Sequence, residues 1–173
     1  EQKVLQAFEQ HPQAQVITFN FEVDERRRTY YNETGHWVHW YNYGRYPAYA
    51  IAVRRDAILK ANVTYSLLYG GGAKYSNGED SLFLHDCLKK GLRIYADTAL
   101  LGKEVYRQST WFSGYHEKFF LDRGVLYHDL YGCMAKLFSI RFLWSNRKEM
   151  LTTINFRTAY GLMKQGIREG KLR

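Results

Sequence analysis

The sequence predicts an α/β fold in which a mixed sheet is flanked by helices and followed by a helical carboxy-terminal extension. Residues 16–23 alternate apolar and polar side chains, which is typical of a strand with one buried face. Residues 79–90 have helical periodicity and stop at Gly91, and strand-like residues resume at 92–101. Because helical and strand patterns alternate along the chain, we expect an α/β or α+β protein.

The amino-terminal third of the chain begins with a helix and continues with short strands. Residues 1–10 space their apolar side chains as a helix does, and His11-Pro12 ends it because a residue before proline avoids helical geometry. The segment VITFNFEV at 16–23 is the first predicted strand. Further short elements are predicted: strands at 36–43 and 48–53, and a helix at 55–61.

The rest of the chain is predominantly helical. After the helix at 79–90 and the strand at 92–101, three helices are predicted, at 115–126, 131–144 and 148–167. No internal repeat, low-complexity tract or linker interrupts them. The carboxy-terminal helices therefore form an extension after the last strand.

Length and composition predict a single folded domain or part of one. The 173 residues are 46% apolar with only two prolines, which excludes disorder and collagen-like repeats. Cys87 and Cys133 are too few for a disulfide framework and lie in apolar, helix-like contexts, so we expect buried thiols in a reducing compartment. No apolar run approaches the roughly 20 residues of a spanning helix. We expect a cytoplasmic location, or one at the inner face of the cell membrane.

The charge and the aromatic content indicate the kind of partner. The net charge of +8 favours an anionic one, namely nucleic acid, a nucleotide-sugar diphosphate or the acidic face of a membrane. Aromatic residues make up 17% of the chain and cluster in HWVHWYNYGRYPAY at 36–49, which suits stacking on sugars or bases. Aromatic strands in an ordinary core explain the same cluster.

The segment GGGAKYSNGEDSLF, residues 70–83, places three glycines before an acid pair, Glu79 and Asp80. A Walker loop is excluded because Lys74 is followed by Tyr75 instead of Ser or Thr. The glycines either let a ligand approach the backbone or form an ordinary loop. Ser76 and Glu79 match a capping box, in which each side chain binds the backbone amide of the other. Glu79 is therefore explained without any chemistry.

Asp80 is the stronger candidate for chemistry. Helical spacing aligns it with Leu84, Cys87 and Leu88, the stripe that we expect to face the core. Partial burial favours the protonated carboxyl and the helix terminus favours the carboxylate, so we expect a proton acceptor that is ionised at neutral pH. Two interpretations stay open at this point: a general base, or a capping or buried structural acid.

The segment YSNGEDSLFLHDCLKKGLRIY, with its Gly78-Glu79-Asp80 core, resembles the carboxy-terminal half of bacterial family 2 glycosyltransferases of the GT-A fold. These enzymes assemble capsule, O-antigen and other surface polysaccharides. The glycine loop before the pair, Arg54-Arg55 and the STWF segment at 109–112 are also similar to segments of that family. The resemblance covers about residues 1–130, which we expect to be part of a GT-A domain, and leaves 131–173 as a helical extension.

The resemblance implies an inverting sugar transfer from a nucleotide-sugar donor to a glycan or lipid-linked acceptor. Asp80 would take the proton of an acceptor hydroxyl as that oxygen attacks the anomeric carbon, and Glu79 would cap the helix or contact the acceptor. Substrate contacts are implied for residues of the loop and for one tryptophan: Gly71, Gly72, Lys74, Tyr75, Asn77 and Trp111.

The chain departs from the family pattern on the donor side. The nucleotide-binding strands and the Asp-x-Asp motif, which holds Mg²⁺ or Mn²⁺ in the family, are not in this sequence. Glu22-Val23-Asp24 has a related spacing but follows the place where the family has its metal motif. We expect an acceptor-side fragment that is inactive alone, with its divalent metal site elsewhere in the full-length enzyme.

Histidines offer weaker candidates. His36 and His39 have a spacing that metal sites use, but no further ligand accompanies them, and aromatic packing is preferred. His116 and His128 are candidates for contact with a diphosphate.

Other readings of the chain come from its aromatic and basic segments. Residues 133–144 combine apolar and basic side chains and suit either an anionic membrane surface or an interior helix. The rival functions are a non-catalytic carbohydrate-binding domain and a nucleic-acid module, although no nucleic-acid motif occurs. The aromatic residues that would bind carbohydrate are Trp37, Trp40, Tyr41 and Tyr43.

Overall fold

The computed structural model describes residues 1–24, 28, 30–103 and 114–173. They divide into two compact units. Unit 1 contains the described residues within 1–65 and 83–103, and unit 2 contains those within 66–82 and 114–173. Unit 2 thus joins the glycine loop to the carboxy-terminal helices. The boundary at residue 130, between a glycosyltransferase domain and a helical extension, stays a prediction.

The described residues form seven α-helices and four strands, and the fold is mixed α/β as predicted. The helices are α1 (Gln2–Gln10), α2 (Arg55–Ala61), α3 (Glu79–Lys89), α4 (Glu117–Tyr131), α5 (Ala135–Ser145), α6 (Arg147–Met150) and α7 (Phe156–Leu172). The strands are β1 (Val16–Glu22), β2 (His36–Val38), β3 (Ile51–Val53) and β4 (Ile94–Lys103). None of these helices is long and apolar enough to cross a bilayer.

An open mixed sheet forms the centre of unit 1, with the strand order β2-β4-β1-β3. β1 and β4 are parallel, with Val16 opposite Ile94, and β3 and β2 pair antiparallel to β1 and β4 respectively. Helix α1 packs on one face, where Ala7 and Ala14 join Ile17 and Phe19 in a buried cluster.

The expectation that β1 buries only one face is wrong, because Val16 to Asn20 are all buried. β1 lies inside the sheet, and its polar face is covered by the segment around Asn32. The Asn20 amide group donates to the carbonyls of Asn32 and Thr98, at 3.0 Å each, and accepts from the Asn32 amide at 2.8 Å. Buried polar side chains are tolerated there because they are hydrogen-bonded.

The second and third strands are shorter than predicted. Residues 39–42 form a turn, in which the Asn42 amide donates to the His39 carbonyl and the Asn42 side chain accepts from the His39 amide. Asparagine commonly closes turns in this way. Likewise, Ala48–Ala50 form a 3₁₀ turn, so that only Ile51–Val53 remain of the predicted strand at 48–53.

Helix ends agree with the sequence where the end signal is local. Helix α3 ends at Lys89, one residue before the predicted end, and Gly91 stops it as predicted. The φ of Gly91 is +79°, and the Leu92 amide donates to the Cys87 carbonyl. The expected break after residue 126 is wrong, since α4 continues to Tyr131 and stops at Gly132. The predicted helix at 148–167 is two helices, and Asn155 caps the second by accepting from the Thr158 amide.

Unit 2 is built on the close contact of α4 with α7. A methyl group at Gly124 would overlap the Met163 carbonyl, and one at Gly166 would overlap the Leu121 carbonyl. Two glycines therefore let the helix backbones approach. Around them lies a core that includes Phe120 and residues of α5 and of the loop at 66–78.

Candidate functional site

The acid pair opens helix α3, which begins at Glu79. The first helical acceptor is the Gly78 carbonyl, bonded by the Leu82 amide at 2.9 Å, so Gly78 occupies the cap position. The predicted capping box is therefore wrong, because Ser76 lies two residues too early. Gly78 has φ +113°, and a methyl group there would lie 2.5 Å from Leu126 Cδ2, so both the backbone and α4 require glycine at this position.

Glu79 lies against the first glycine of the loop. A methyl group at Gly70 would lie 3.0 Å from the Glu79 carboxyl carbon and 3.1 Å from Oε1. Gly70 also has φ +108°, which side-chain-bearing residues rarely adopt. The glycine thus lets the acid pack directly on the loop backbone.

The glycine loop is closed by its own backbone. The Tyr75 amide donates to the Leu68 carbonyl and the Gly70 amide to the Tyr75 carbonyl, both at 3.0 Å. Within this frame the Ala73 amide donates to the Gly70 carbonyl at 3.1 Å. Gly71 and Gly72 lie at the exposed tip.

A carboxylate of α7 binds one side of the loop. The Tyr75 hydroxyl donates to Glu169 Oε1 at 2.7 Å, and the Lys74 ammonium lies 2.8 Å from the same oxygen. The bond from Lys74, followed by that from Tyr75, lowers the pKa of Glu169. The pKa of Lys74 is raised by the same pairing. Tyr75 is 1% exposed and is a core residue of unit 2 that holds the loop, whereas the Lys74 side chain is largely exposed.

A second carboxylate binds the other side of the loop. The Tyr69 hydroxyl and the Arg173 guanidinium each donate to Asp129 Oδ2 at 2.6 Å. Burial by itself would raise the pKa of Asp129, but hydrogen bonds from Tyr69, Arg173 and His128 lower it below its ordinary value. Burial, and then the bond to Asp129, raises the pKa of Tyr69.

A third carboxylate, Asp122 of α4, holds the chain just before the acid pair. Asp122 is buried, and its Oδ2 accepts from the Ser76 amide at 2.9 Å and from the Lys118 ammonium at 2.6 Å. Lys118 also donates to the Lys74 carbonyl at 2.9 Å. One ion pair therefore fixes two points of the loop backbone.

Asp80 follows directly on this anchored segment. It is partly buried, and its Oδ1 atom is enclosed by protein. The Oδ1 atom of Asn77 is enclosed too and accepts no hydrogen bond from the residues that the structure describes. In the predicted stripe, Leu84 and Cys87 are fully buried. A carboxylate at the first turn of a helix interacts favourably with the exposed amide groups of that turn.

The structure brings most of the sequence-predicted site residues together in unit 2. They are Gly71, Gly72, Lys74, Tyr75, Asn77, Glu79 and Asp80. Trp111 and the STWF segment lie outside the described residues. A surface depression of about 610 Å³ in unit 1, lined by residues 1–4 and Leu101, includes none of the predicted site residues.

The histidine candidates make local contacts. His36 Nδ1 lies 3.0 Å from the Thr34 carbonyl, and the His39 ring stacks on Tyr41. His116 lies next to α4, with Nδ1 2.7 Å from the Gly114 carbonyl, and His128 lies beside Asp129.

Metal-ligating residues are not clustered in the part of the chain that the structure describes. It contains no group of three or more His, Cys, Asp or Glu residues placed to hold an ion. Glu22, the first acid of Glu22-Val23-Asp24, forms an exposed ion pair with Lys103 at 2.8 Å. The described residues therefore do not fit the divalent metal that the family resemblance implies.

Sequence reasoning missed the residues that hold the loop, namely Asp122, Asp129, Glu169 and Arg173. The only local signal was the Lys118–Asp122 pair, whose spacing of four residues is typical of a helix salt bridge. Nothing in the sequence links these side chains to residues 69–76.

Comparisons with protein-family models, curated proteins and solved structures find no match for this chain. The fold defines a mixed α/β protein with an open four-stranded sheet and flanking helices. Its candidate site is an acid pair that begins a helix after a glycine loop.

Proposed function

We propose that this chain is the acceptor-side half of an inverting glycosyltransferase of the GT-A class, with Asp80 as the general base. The observation that carries the proposal is the place of Asp80 at the first turn of α3, with its Oδ1 atom enclosed by protein, directly after a loop that three other carboxylates hold. Fixed placement matters because a base must lie within hydrogen-bond reach of the proton that it removes.

In the proposed reaction Asp80 accepts the proton of an acceptor hydroxyl while that oxygen bonds to the anomeric carbon of the donor. The bond from the anomeric carbon to the diphosphate breaks, the diphosphate leaves with the electron pair, and the configuration inverts. Glu79 packs on Gly70 and keeps the loop close to the helix terminus. Lys74 and Asn77, with the exposed tip at Gly71 and Gly72, provide the acceptor side of the site.

The donor side of the proposed enzyme lies outside the described residues. The nucleotide-sugar and a divalent Mg²⁺ or Mn²⁺ would bind in the other half of the GT-A domain. We propose that the enzyme adds sugars to a glycan or lipid-linked acceptor in surface polysaccharide synthesis at the cytoplasmic face of the membrane, and that this chain alone does not turn over.

The test is transfer by the full-length enzyme that contains this chain, measured as nucleotide diphosphate released in the presence of acceptor. Asp80→Asn removes the base and keeps the size of the side chain. We expect kcat to fall by about 10²- to 10⁴-fold, with an unchanged circular dichroism spectrum.

The matched control is Asp86→Asn, which makes the same change on the same helix. Among the described residues, the Asp86 carboxylate forms an ion pair with the neighbouring His85 alone. We expect this variant to keep its turnover. Retained turnover in Asp80→Asn would reject the assignment, and an equal loss in both variants would indicate damage to α3.

A second candidate function is carbohydrate binding without catalysis. Its support is the exposed Trp40–Tyr41 pair, each 68% exposed with ring centroids 5.7 Å apart. Trp37 instead packs on Tyr95, and Tyr43 is buried. This function predicts that glycan affinity, measured by calorimetry with the chain alone, is lost in Trp40→Ala and kept in Asp80→Asn.

A further inference from the structure

Helix α5 of unit 2 presents an apolar stripe to the solvent. Leu137, Ile140 and Trp144 are 65%, 42% and 63% exposed. Their spacings of three and four residues place them on one face of the helix. Met134, which precedes the helix, is exposed as well. Large apolar side chains gathered on one face differ from the scattered exposed residues of ordinary surfaces.

The opposite face of α5 already supplies the contacts that hold the helix in unit 2. Ala135, Ser139 and Leu143 are fully buried, and Phe138 and Phe142 pack against the same core. Ser139 satisfies its hydroxyl by donating to the Ala135 carbonyl at 2.8 Å. The sequence left open whether residues 133–144 form an interior helix or a surface one. The helix has a buried face and, separately, an exposed apolar face.

The stripe is bordered by cations. Lys136 and Arg141 are exposed on α5, and Arg147 and Lys148 follow it. Arg147 lies over the Trp144 ring, with its guanidinium carbon 4.9 Å from the ring centroid. From residue 132 to residue 150 the only acid is Glu149, which accepts a hydrogen bond from the Tyr115 hydroxyl. The surface around the stripe is therefore strongly basic.

We propose that this face of α5, defined by Leu137, Ile140 and Trp144 with Lys136 and Arg141 at its borders, docks on a bilayer surface rich in anionic lipids. Apolar side chains would enter the boundary between headgroups and acyl chains, and the long basic side chains would reach the phosphates beside them. Tryptophan and arginine favour this interfacial layer. Because the exposed apolar side chains lie along one face of α5, the helix lies in the plane of the surface.

An anionic bilayer fits this surface better than a protein partner or a second copy of the chain. Two copies meeting through the stripe would bring the same four cations together, which opposes association. A lipid surface instead pairs each cation with negative charge, at about fivefold in affinity for each Lys or Arg near the surface. The proposal does not depend on the glycosyltransferase assignment.

Co-sedimentation with vesicles tests the proposal. Phosphatidylcholine vesicles are compared with vesicles in which about a third of the lipid is phosphatidylglycerol, at low and physiological salt. We expect binding to the anionic vesicles, weakened by salt. Leu137→Ser with Trp144→Ser should weaken it by at least about tenfold, because both side chains lose apolar burial. Leu67→Ser is the matched control, since Leu67 is 94% exposed elsewhere in unit 2.

A charge series separates the electrostatic contribution. Lys136→Gln with Arg141→Gln should weaken binding to anionic vesicles by about 25-fold. Lys89→Gln with Lys90→Gln makes the same change of charge at two exposed residues next to the end of α3 and should change it little. Equal effects of the two pairs would mean that net charge alone draws the protein to the vesicles, and would overturn the proposal.

A fluorophore on Cys133 reports where the protein touches the bilayer. The expectation of two buried thiols is wrong for Cys133, which is exposed just before α5, whereas Cys87 is buried. A thiol-reactive, polarity-sensitive dye therefore labels Cys133. We expect a blue shift on anionic vesicles, and none for the same dye at position 67, elsewhere in unit 2, in a Cys133→Ser, Leu67→Cys protein. Shifts at both positions, binding unchanged in the Leu137 and Trp144 variant, or a dimer in sedimentation that this variant dissolves, would each overturn the proposal.

Discussion

The two units bury polar groups by different chemistry. In unit 1 the Asn20 side chain bonds to the backbone of Asn32 and donates to the Thr98 carbonyl, and the Asn32 side chain donates to the Asp97 carbonyl. These groups are neutral amides. In unit 2 the loop before the acid pair is held by carboxylates, of which Asp122 is buried and paired with Lys118.

This difference separates a buried amide network whose hydrogen bonds are insensitive to pH from a loop whose bonds depend on charge. Amides do not titrate, so the Asn20 network keeps its bonds over the range in which proteins are handled. Carboxylate networks weaken when they are protonated and, where exposed, when salt screens them. The loop before the candidate site therefore depends on bonds that pH and salt can weaken.

The largest effect is expected for Asn20→Ala in unit 1. The substitution leaves three backbone groups without their partner, namely the buried amide and carbonyl of Asn32 and the partly buried carbonyl of Thr98. We expect the free energy of unfolding to fall by about 4 kcal/mol, with the same loss at about pH 5 and pH 8. Denaturant titration measures it, and hydrogen exchange of β1 localises it. Asn42→Ala, in an exposed turn, should cost under about 1 kcal/mol.

Gly166→Ala should break the helix contact on which unit 2 depends. Its methyl group would overlap the Leu121 carbonyl, so α4 and α7 must separate, at a cost of about 3 kcal/mol. Hydrogen exchange should increase in these two helices.

The matched control lies on the same helix. A methyl group at Gly161 would meet nothing within 4 Å. Gly161→Ala should therefore stabilise the protein by about 0.5 to 1 kcal/mol, through helix propensity alone. A destabilised Gly161→Ala together with a neutral Gly166→Ala would contradict the described packing of α4 on α7.

Asp122→Asn tests whether the charge, rather than the shape, of the carboxylate anchors the loop. The amide can still accept from the Ser76 amide but loses the ion pair with Lys118. We expect a loss of about 2 kcal/mol, with increased exchange at residues 74–78. Asp56→Asn, at a side chain that is 97% exposed, should stay within about 0.5 kcal/mol. If Asp122→Asn left the free energy of unfolding unchanged, the charge of Asp122 would not contribute to holding the loop.

The smallest expected effect concerns the acid limb of unit 2, meaning the fall of its free energy of unfolding as the pH is lowered. Because the folded pKa of Asp129 lies below its ordinary value of 3.8, its stabilisation is present above about pH 4 and is lost as the pH falls through the folded pKa. Asp129→Asn should flatten this limb by under about 1 kcal/mol, since the group is partly solvated. Urea titrations from about pH 2.5 to 6 measure it. An unchanged limb would contradict the pairing with Tyr69 and Arg173.

Elements with local signals were predictable from sequence. Helix α2 has the predicted bounds, and α3 begins at the predicted Glu79 and ends before Gly91, because spacing and end residues act within a few positions. The strand at 36–43 was overestimated, since its aromatic residues favour strands while the turn closed by Asn42 depends on side-chain geometry. The burial of Asn20 could not be read locally, because its partners come from other segments.

The sequence by itself determined the first three helices, the position of the first strand and the place of Glu79 and Asp80 at a helix start, because these follow from backbone preferences over a few residues. Only the tertiary structure decided what holds the loop before them. The bonds from Ser76, Tyr69 and Tyr75 reach Asp122, Asp129 and Glu169 across 46, 60 and 94 residues. Pairings at such separations arise when α4 and α7 pack together, and no local pattern records which side chains will then meet.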